Sequence, residues 1–155
     1  MEPIELTPIG HVVSQRSKAE DDFWDAVRCR IELDPARFTP QAAAQLESFS
    51  HLEVVFFMHL VDRQKIVTGS RHPRHNPDWP EVGIFAQRGK NRPNQLGLTV
   101  CRLVKVEGLR IHVAGLDALT GSPVLDIKPW VREFGPRGET RQPDWMSELM
   151  RNYWG

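Results

Sequence analysis

The chain has 155 residues, enough for one domain with a real core, and 40% of them are hydrophobic. Its 20 basic and 20 acidic side chains cancel, which excludes a strongly basic, tail-like nucleic-acid binder but not a local basic patch. No run of about 18 apolar residues exists, so no membrane-spanning helix is expected, and the opening MEPIELTPIGHVV lacks the basic and apolar regions of a signal peptide.

Ile9 to Gln15 predicts a first strand, rich in β-branched residues. Arg16 to Asp25 is polar and acidic and reads as a loop. Its Phe23-Trp24 pair suits either a ligand contact or an anchor to the core. Apolar residues then alternate at Val27, Cys29, Ile31 and Leu33, which predicts a half-buried strand. Thr39-Pro40 followed by QAAAQLESF predicts a helix, with Thr39 as its cap and Pro40 in the first helical position. Ser50 to Val61 is the most apolar stretch and predicts a central buried strand. TGSRHPRHNPDWP, 68–80, is a long, irregular, basic loop. Val82 to Gln87 predicts a short strand, and RGKNRPNQL, 88–96, a polar loop. Leu98 to Val106 and Leu109 to Ala114 predict a hairpin joined at Glu107-Gly108. GLDALTGSPVLDIKPW follows without an assigned element. Pro143 to Tyr153 predicts a closing helix, with Asp144 near its start and Trp145 and Leu149 on one face.

Short strands between turn-rich loops predict an all-β fold, a small barrel with a few short helices, rather than a doubly wound α/β fold. No repeat or linker divides the chain, so residues 1–155 are expected to form a single domain. Cys29 and Cys101 sit among alternating apolar residues and read as buried, reduced thiols, which favours a reducing, cytoplasmic compartment.

Neutrality hides an uneven distribution. Residues 1–61 carry 5 basic and 10 acidic side chains; residues 62–92 carry 7 and 3; residues 93–155 carry 8 and 7. The middle block holds Arg63, Lys65, Arg71, Arg74, Arg88, Lys90 and Arg92, and it is either a phosphate-facing patch or a solvated loop.

No GxGxxG, P-loop, GxSxG or HExxH motif is present. His72 and His75 flank a proline among arginines, surroundings that disfavour a metal cation, and no metal site is expected. Asp117 suits acceptance of hydrogen bonds from a ligand hydroxyl or ammonium, or from its own turn backbone. Asp126 suits the same role or a structural pair with Lys128 or an arginine. In RGKNRPN, Arg88 and Arg92 with Asn91 and Asn94 suit a planar or phosphorylated ligand, or, taken alone, an ordinary charged turn.

Five strings occur in order: PIG (8–10), FSHLEVVFFMH (49–59), GIFAQR (83–88), NRPNQLGLT (91–99) and GLDALTGSPVLDIKPW (115–130). Together they resemble the TsaA-like family, also called YaeB- or TrmO-like, over about residues 4–131. The resemblance implies a small, non-Rossmann β-barrel that works as a homodimer and uses S-adenosylmethionine. It implies methylation of the exocyclic amine of threonylcarbamoyl-adenosine beside the anticodon of threonine tRNA. Carried over by position, cofactor contacts fall on His59, Leu60, Arg88, Leu98, Asp117, Ala118, Leu119 and Thr120. Lys90, Arg92 and Lys128 would meet tRNA, and Asn94 or Asp126 would orient the amine.

The chain departs from the family pattern in places. EDDFWD (20–25) stands where many members carry a Pro-Arg-Gln cofactor segment, which makes Asp22, Phe23 and Trp24 its candidates. Leu60 stands where Gln is common, and Thr120-Gly121-Ser122-Pro123 replaces Asp-Gly-Thr-Pro. RPNQLG replaces RPNPIG. Residues 132–155 are a short extension where longer members carry a further domain. Trp145, Tyr153 and Trp154 in that extension suit an interface or a cover for the core. Competing readings are a methyltransferase for another RNA or small molecule, and a non-catalytic barrel that binds S-adenosylmethionine or RNA.

Overall fold

A computed structural model describes residues 1–155. Eight strands form: β1 (Gly10–Ser14), β2 (Arg28–Leu33), β3 (His51–Phe57), β4 (Ser70–Arg71), β5 (Val82–Gly83), β6 (Leu96–Glu107), β7 (Arg110–Ala114) and β8 (Pro123–Pro129). One α-helix, α1, spans Asp144–Met150. Six strands close into a barrel in the order β1-β2-β7-β6-β3-β8, every pair antiparallel. β4 and β5 pair apart from it as a ribbon. This is the expected all-β barrel, and none of its helices is long and apolar enough to cross a membrane.

Period-two alternation builds the wall. Cys29, Ile31 and Leu33 of β2, Leu52, Val54 and Phe56 of β3, and Ile111 and Val113 of β7 point inward. Each such aliphatic or aromatic side chain contributes roughly 1.5–3 kcal/mol by leaving water. Both cysteines are buried and unpaired. β6 and β7 meet at Gly108, whose φ of +61° suits glycine. Gly97 of β6 lies opposite Phe56, and a Cβ there would fall 2.3 Å from the tip of the ring. The aromatic ring thus covers the bare backbone of the glycine.

Four expectations need correction. The segment after Thr39 forms two 3₁₀ turns, Pro40–Ala43 and Leu46–Ser48, and no α-helix. Gln45 breaks it at a φ of +66°, Thr39 caps nothing, and only Ala43 of the two turns is buried, so no apolar stripe holds a helix to the barrel. The predicted strand 82–87 stops at Gly83 and continues as a 3₁₀ turn. The apolar run 50–61 is strand only to Phe57. β8, unassigned from the sequence, closes the barrel between β3 and β1. A bulge opposite Val55 and Phe56 shifts its register and blurs its alternation.

Candidate functional site

Residues 115–122 leave β7, cross one mouth of the barrel and return as β8. Backbone bonds tie this crossing loop to its neighbours: Gly115 N–H to Val27 O at 3.0 Å, Thr120 N–H to Arg16 O at 2.8 Å, and Gly121 N–H to Val12 O at 2.8 Å. Ser14 N–H also donates to Thr120 Oγ1 at 3.2 Å. Leu116 and Ala118 plug the core. The intervening Asp117 is turned the other way and remains half-buried.

The Asp117 carboxylate is held from two sides. Thr99 Oγ1 donates to Oδ1, and Tyr153 Oη donates to Oδ2. No cation lies within ion-pair distance of it. Burial, together with the Asp117 charge, pushes the Tyr153 phenol well above its ordinary range, so it remains a donor.

Arg88 reaches the same stretch of β6 from outside. Its Nη2 donates to Leu98 O at 2.6 Å. This is possible because Leu96–Cys101 of β6 pair with β3 alone, the partnership with β7 starting only at Arg102. Arg88 and Asp117 are therefore anchored to consecutive residues, Leu98 and Thr99. His59, just past β3, places Nδ1 3.4 Å from Ser122 Oγ. Gly121, at a φ of +81°, leaves room beside the His59 ring that a side chain would crowd. Leu60 and Leu98 are exposed.

The structure thus gathers His59, Arg88, Leu98 and the 117–120 loop around one mouth. Ala118 offers only its backbone there, its side chain being in the core. Asn94 is exposed in a turn at a φ of +63° just before β6. Asp126 lies on the outer wall in register with Val55, itself opposite Leu98, so two strand spacings, about 10 Å, separate it from Leu98. Its carboxylate accepts from Lys128 Nζ at 2.5 Å and from Ile127 N–H at 2.9 Å. The structural pair considered for Asp126 therefore forms.

The basic block is largely unpaired. Arg74 bridges Asp22 at 2.8 Å. Arg63, Lys65, Arg71, Arg88, Lys90 and Arg92 have no carboxylate partner. Backbone contacts shape the loop: Arg92 Nη1 donates to Gln87 O at 2.8 Å, and the buried Gln95 side chain donates to Met58 O at 3.2 Å. His72 Nδ1 lies 2.7 Å from Trp79 O, so that ring is engaged inside the loop.

In the 20–25 loop the two aromatics divide their roles. Trp24 is buried beneath the Arg16 guanidinium at 4.2 Å, whereas Phe23 is exposed. Arg16 also donates to Asp22 O and Phe23 O, and the Asp22–Arg74 bridge ties this loop to the basic block.

Sequence reasoning missed Thr99 and Ser122 and gave Tyr153 a different role. Thr99 did carry a signal: it is a polar residue on the inward face shared by Gly97 and Cys101. Tyr153 is neither simply core cover nor a free anchor, since its hydroxyl is spent on Asp117.

Residues 16–135 match the family described as tRNA-methyltransferase O N-terminal domain. The chain is 38% identical over 98 residues to a human protein named tRNA (adenine(37)-N6)-methyltransferase, a match covering 63% of this chain and 22% of the relative. It is 34% identical over 138 residues to a probable S-adenosyl-L-methionine-binding protein of Methanothermobacter thermautotrophicus, covering 87% of this chain and 96% of that one. A crystal structure of TrmO from Pseudomonas aeruginosa superposes with a TM-score of 0.71 at 29% identity, covering 90% of this chain and 61% of the other. The chain thus spans about a fifth of the human relative's length.

Proposed function

The chain belongs to the tRNA-methyltransferase O N-terminal domain family, and on that premise we propose that it transfers a methyl group from S-adenosylmethionine to the exocyclic amine of a tRNA adenosine. The substrate we assign is threonylcarbamoyl-adenosine next to the anticodon. The observation that carries this reading is the anchoring of Asp117 and Arg88 to adjacent residues of β6 at one mouth of the barrel.

The residues there fit the cofactor. Asp117, free of any protein cation, suits an ammonium or ribose hydroxyls. Arg88, free of any protein carboxylate, suits the carboxylate of the amino-acid tail. Leu60, Leu98 and the edge of His59 offer surface for a purine, and the backbone of Ala118, Leu119 and Thr120 lines the crossing loop. When bound, S-adenosylmethionine supplies an electrophilic methyl on a sulfonium.

The chain's own part is positioning. With the cofactor bound, in-line attack by the amine on the methyl would form a C–N bond as the C–S bond breaks, the sulfur leaving as a neutral thioether and the amine proton passing late to water. Alignment and exclusion of water matter more than a strong base. Asn94 is assigned to orient the amine. Asp126 is the alternative and must first release Lys128. An anticodon loop presents an unstacked base without the cost of opening a duplex. Arg63, Lys65, Lys90 and Arg92 are assigned to its phosphates, with Lys128 at the margin.

A homodimer joined on the outer face of β6 completes the reading. Leu96 and Val100 are exposed there, beside Val55 and Phe57 of β3, and Leu98 between them is left to the cofactor. We assign the protein's work to the cytoplasm. Nucleoside mass spectrometry tests the function: tRNA from a deletion strain loses the methylated threonylcarbamoyl-adenosine and regains it on complementation. Unchanged nucleosides refute the substrate. Absence of S-adenosylmethionine binding in calorimetry refutes the enzyme.

A further inference from the structure

Residues 136–155 lie beyond the part of the chain that matches the family, 16–135, yet their end is built into the site. Three consecutive backbone bonds join it to the 20–25 loop. Phe23 N–H donates to Asn152 O at 3.0 Å, Trp24 N–H to Tyr153 O at 2.9 Å, and Asp25 N–H to Trp154 O at 2.8 Å. A fourth tether joins α1 to the basic loop, Trp79 Nε1 donating to Glu148 Oε2 at 2.9 Å. Between these attachments the Tyr153 ring, crossed edge-on by Trp154 at 5.0 Å, aims its hydroxyl at Asp117 Oδ2.

We propose that Tyr153 is a positioning residue that sets the orientation of the Asp117 carboxylate for the positively charged or hydroxyl-bearing end of S-adenosylmethionine. The proposal rests on the methyltransferase reading above. Thr99 fixes Oδ1 and Tyr153 fixes Oδ2, so the plane of the carboxylate cannot turn, and each oxygen retains a lone pair for the ligand. With Thr99 alone, the group is free to rotate about its last bond and must be ordered by the ligand itself. Tyr153 thereby acts on binding and leaves the reacting atoms untouched.

The test is a cycle of Tyr153→Phe, Asp117→Asn and the double variant in the full chain. Calorimetry with S-adenosylmethionine and methyl transfer to tRNA are the readouts. Tyr153→Phe keeps the ring and the three backbone tethers, so its circular dichroism and melting are the control for folding. The expected result is a cofactor Kd and KM raised about 5- to 20-fold in Tyr153→Phe, with kcat within about two-fold of the parent. In the Asp117→Asn background the same change has little further effect, because Tyr153 acts through Asp117. Unchanged cofactor affinity, a loss confined to kcat, or full additivity in the double variant overturns the proposal while leaving the methyltransferase reading in place. A parent chain that binds no S-adenosylmethionine overturns that reading, and this proposal with it.

Discussion

Gly97→Ala probes how tightly barrel packing and site are joined. An added Cβ would lie 2.3, 2.5 and 2.7 Å from three atoms of the Phe56 ring, all well inside contact distance. The ring is 3% exposed and faces the core cluster, so it must push neighbouring side chains to retreat by about 1 Å. Overpacking of this kind costs roughly 1–3 kcal/mol. Alanine recovers roughly 0.5–1 kcal/mol through its lower chain entropy in a strand. The net expectation is a loss of about 1–2 kcal/mol, which in a chain of this size lowers Tm by roughly 2–8 °C. Calorimetric or circular-dichroism melting measures it, and Phe56→Leu in the same background should recover most of the loss by vacating the ring's place. Because Gly97 is two residues from Thr99, cofactor affinity should fall in parallel. An unchanged or raised Tm for Gly97→Ala, or a double variant weaker than the sum of the two single changes, refutes the argument.

Burial pushes the thiols of Cys29 and Cys101 up to about 12, so neither should react with a thiol reagent at pH 8 in the folded protein, and both should react at once in denaturant. The Arg102 hydrogen bond holds the Asp25 carboxyl below its ordinary 3.8. The unfolded chain therefore takes up this proton first; the pair's contribution is complete above about pH 4 and fades as pH falls through the folded-state value. Asp25→Asn should flatten the acid limb of a Tm–pH curve, and an identical limb counts against the linkage. For the basic block, log Kd for tRNA should rise with log salt, at roughly 0.7 for each phosphate engaged on a single strand. Replacing Arg63, Lys65 and Lys90 by Gln together should reduce that slope by about 2, and a slope insensitive to these changes removes the block from the RNA contact.

What the sequence disclosed follows from which interactions are local. β2 was legible because Cys29, Ile31 and Leu33 alternate without interruption, and the β6–β7 hairpin because Glu107-Gly108 marks a tight turn between two apolar runs. β8 was not, because Pro123 and Pro129 bound it and its bulge breaks the period; its strand character comes from β3 and β1 on either side. The alanines of 42–44 favour helix intrinsically, but Ala43 alone of them is buried, too little to hold a helix in place. In the site, motif resemblance selected His59, Arg88, Leu98 and the 117–120 loop, which the fold gathers at one mouth. It was silent on Tyr153, whose partner is 36 residues away and whose approach depends on the tethers to Phe23, Trp24 and Asp25.

The barrel is sealed by the meeting of Gly10 with Val124. During synthesis the first strand therefore waits for the last before its outer edge is covered. Until then a growing chain exposes two ribbons of unsatisfied backbone, on β1 and on β3, each able to recruit a stray strand. Ring closure over so long a stretch makes folding slow relative to hairpin formation, and the hazard of clumping is greatest on the ribosome, just before the DIKP segment emerges.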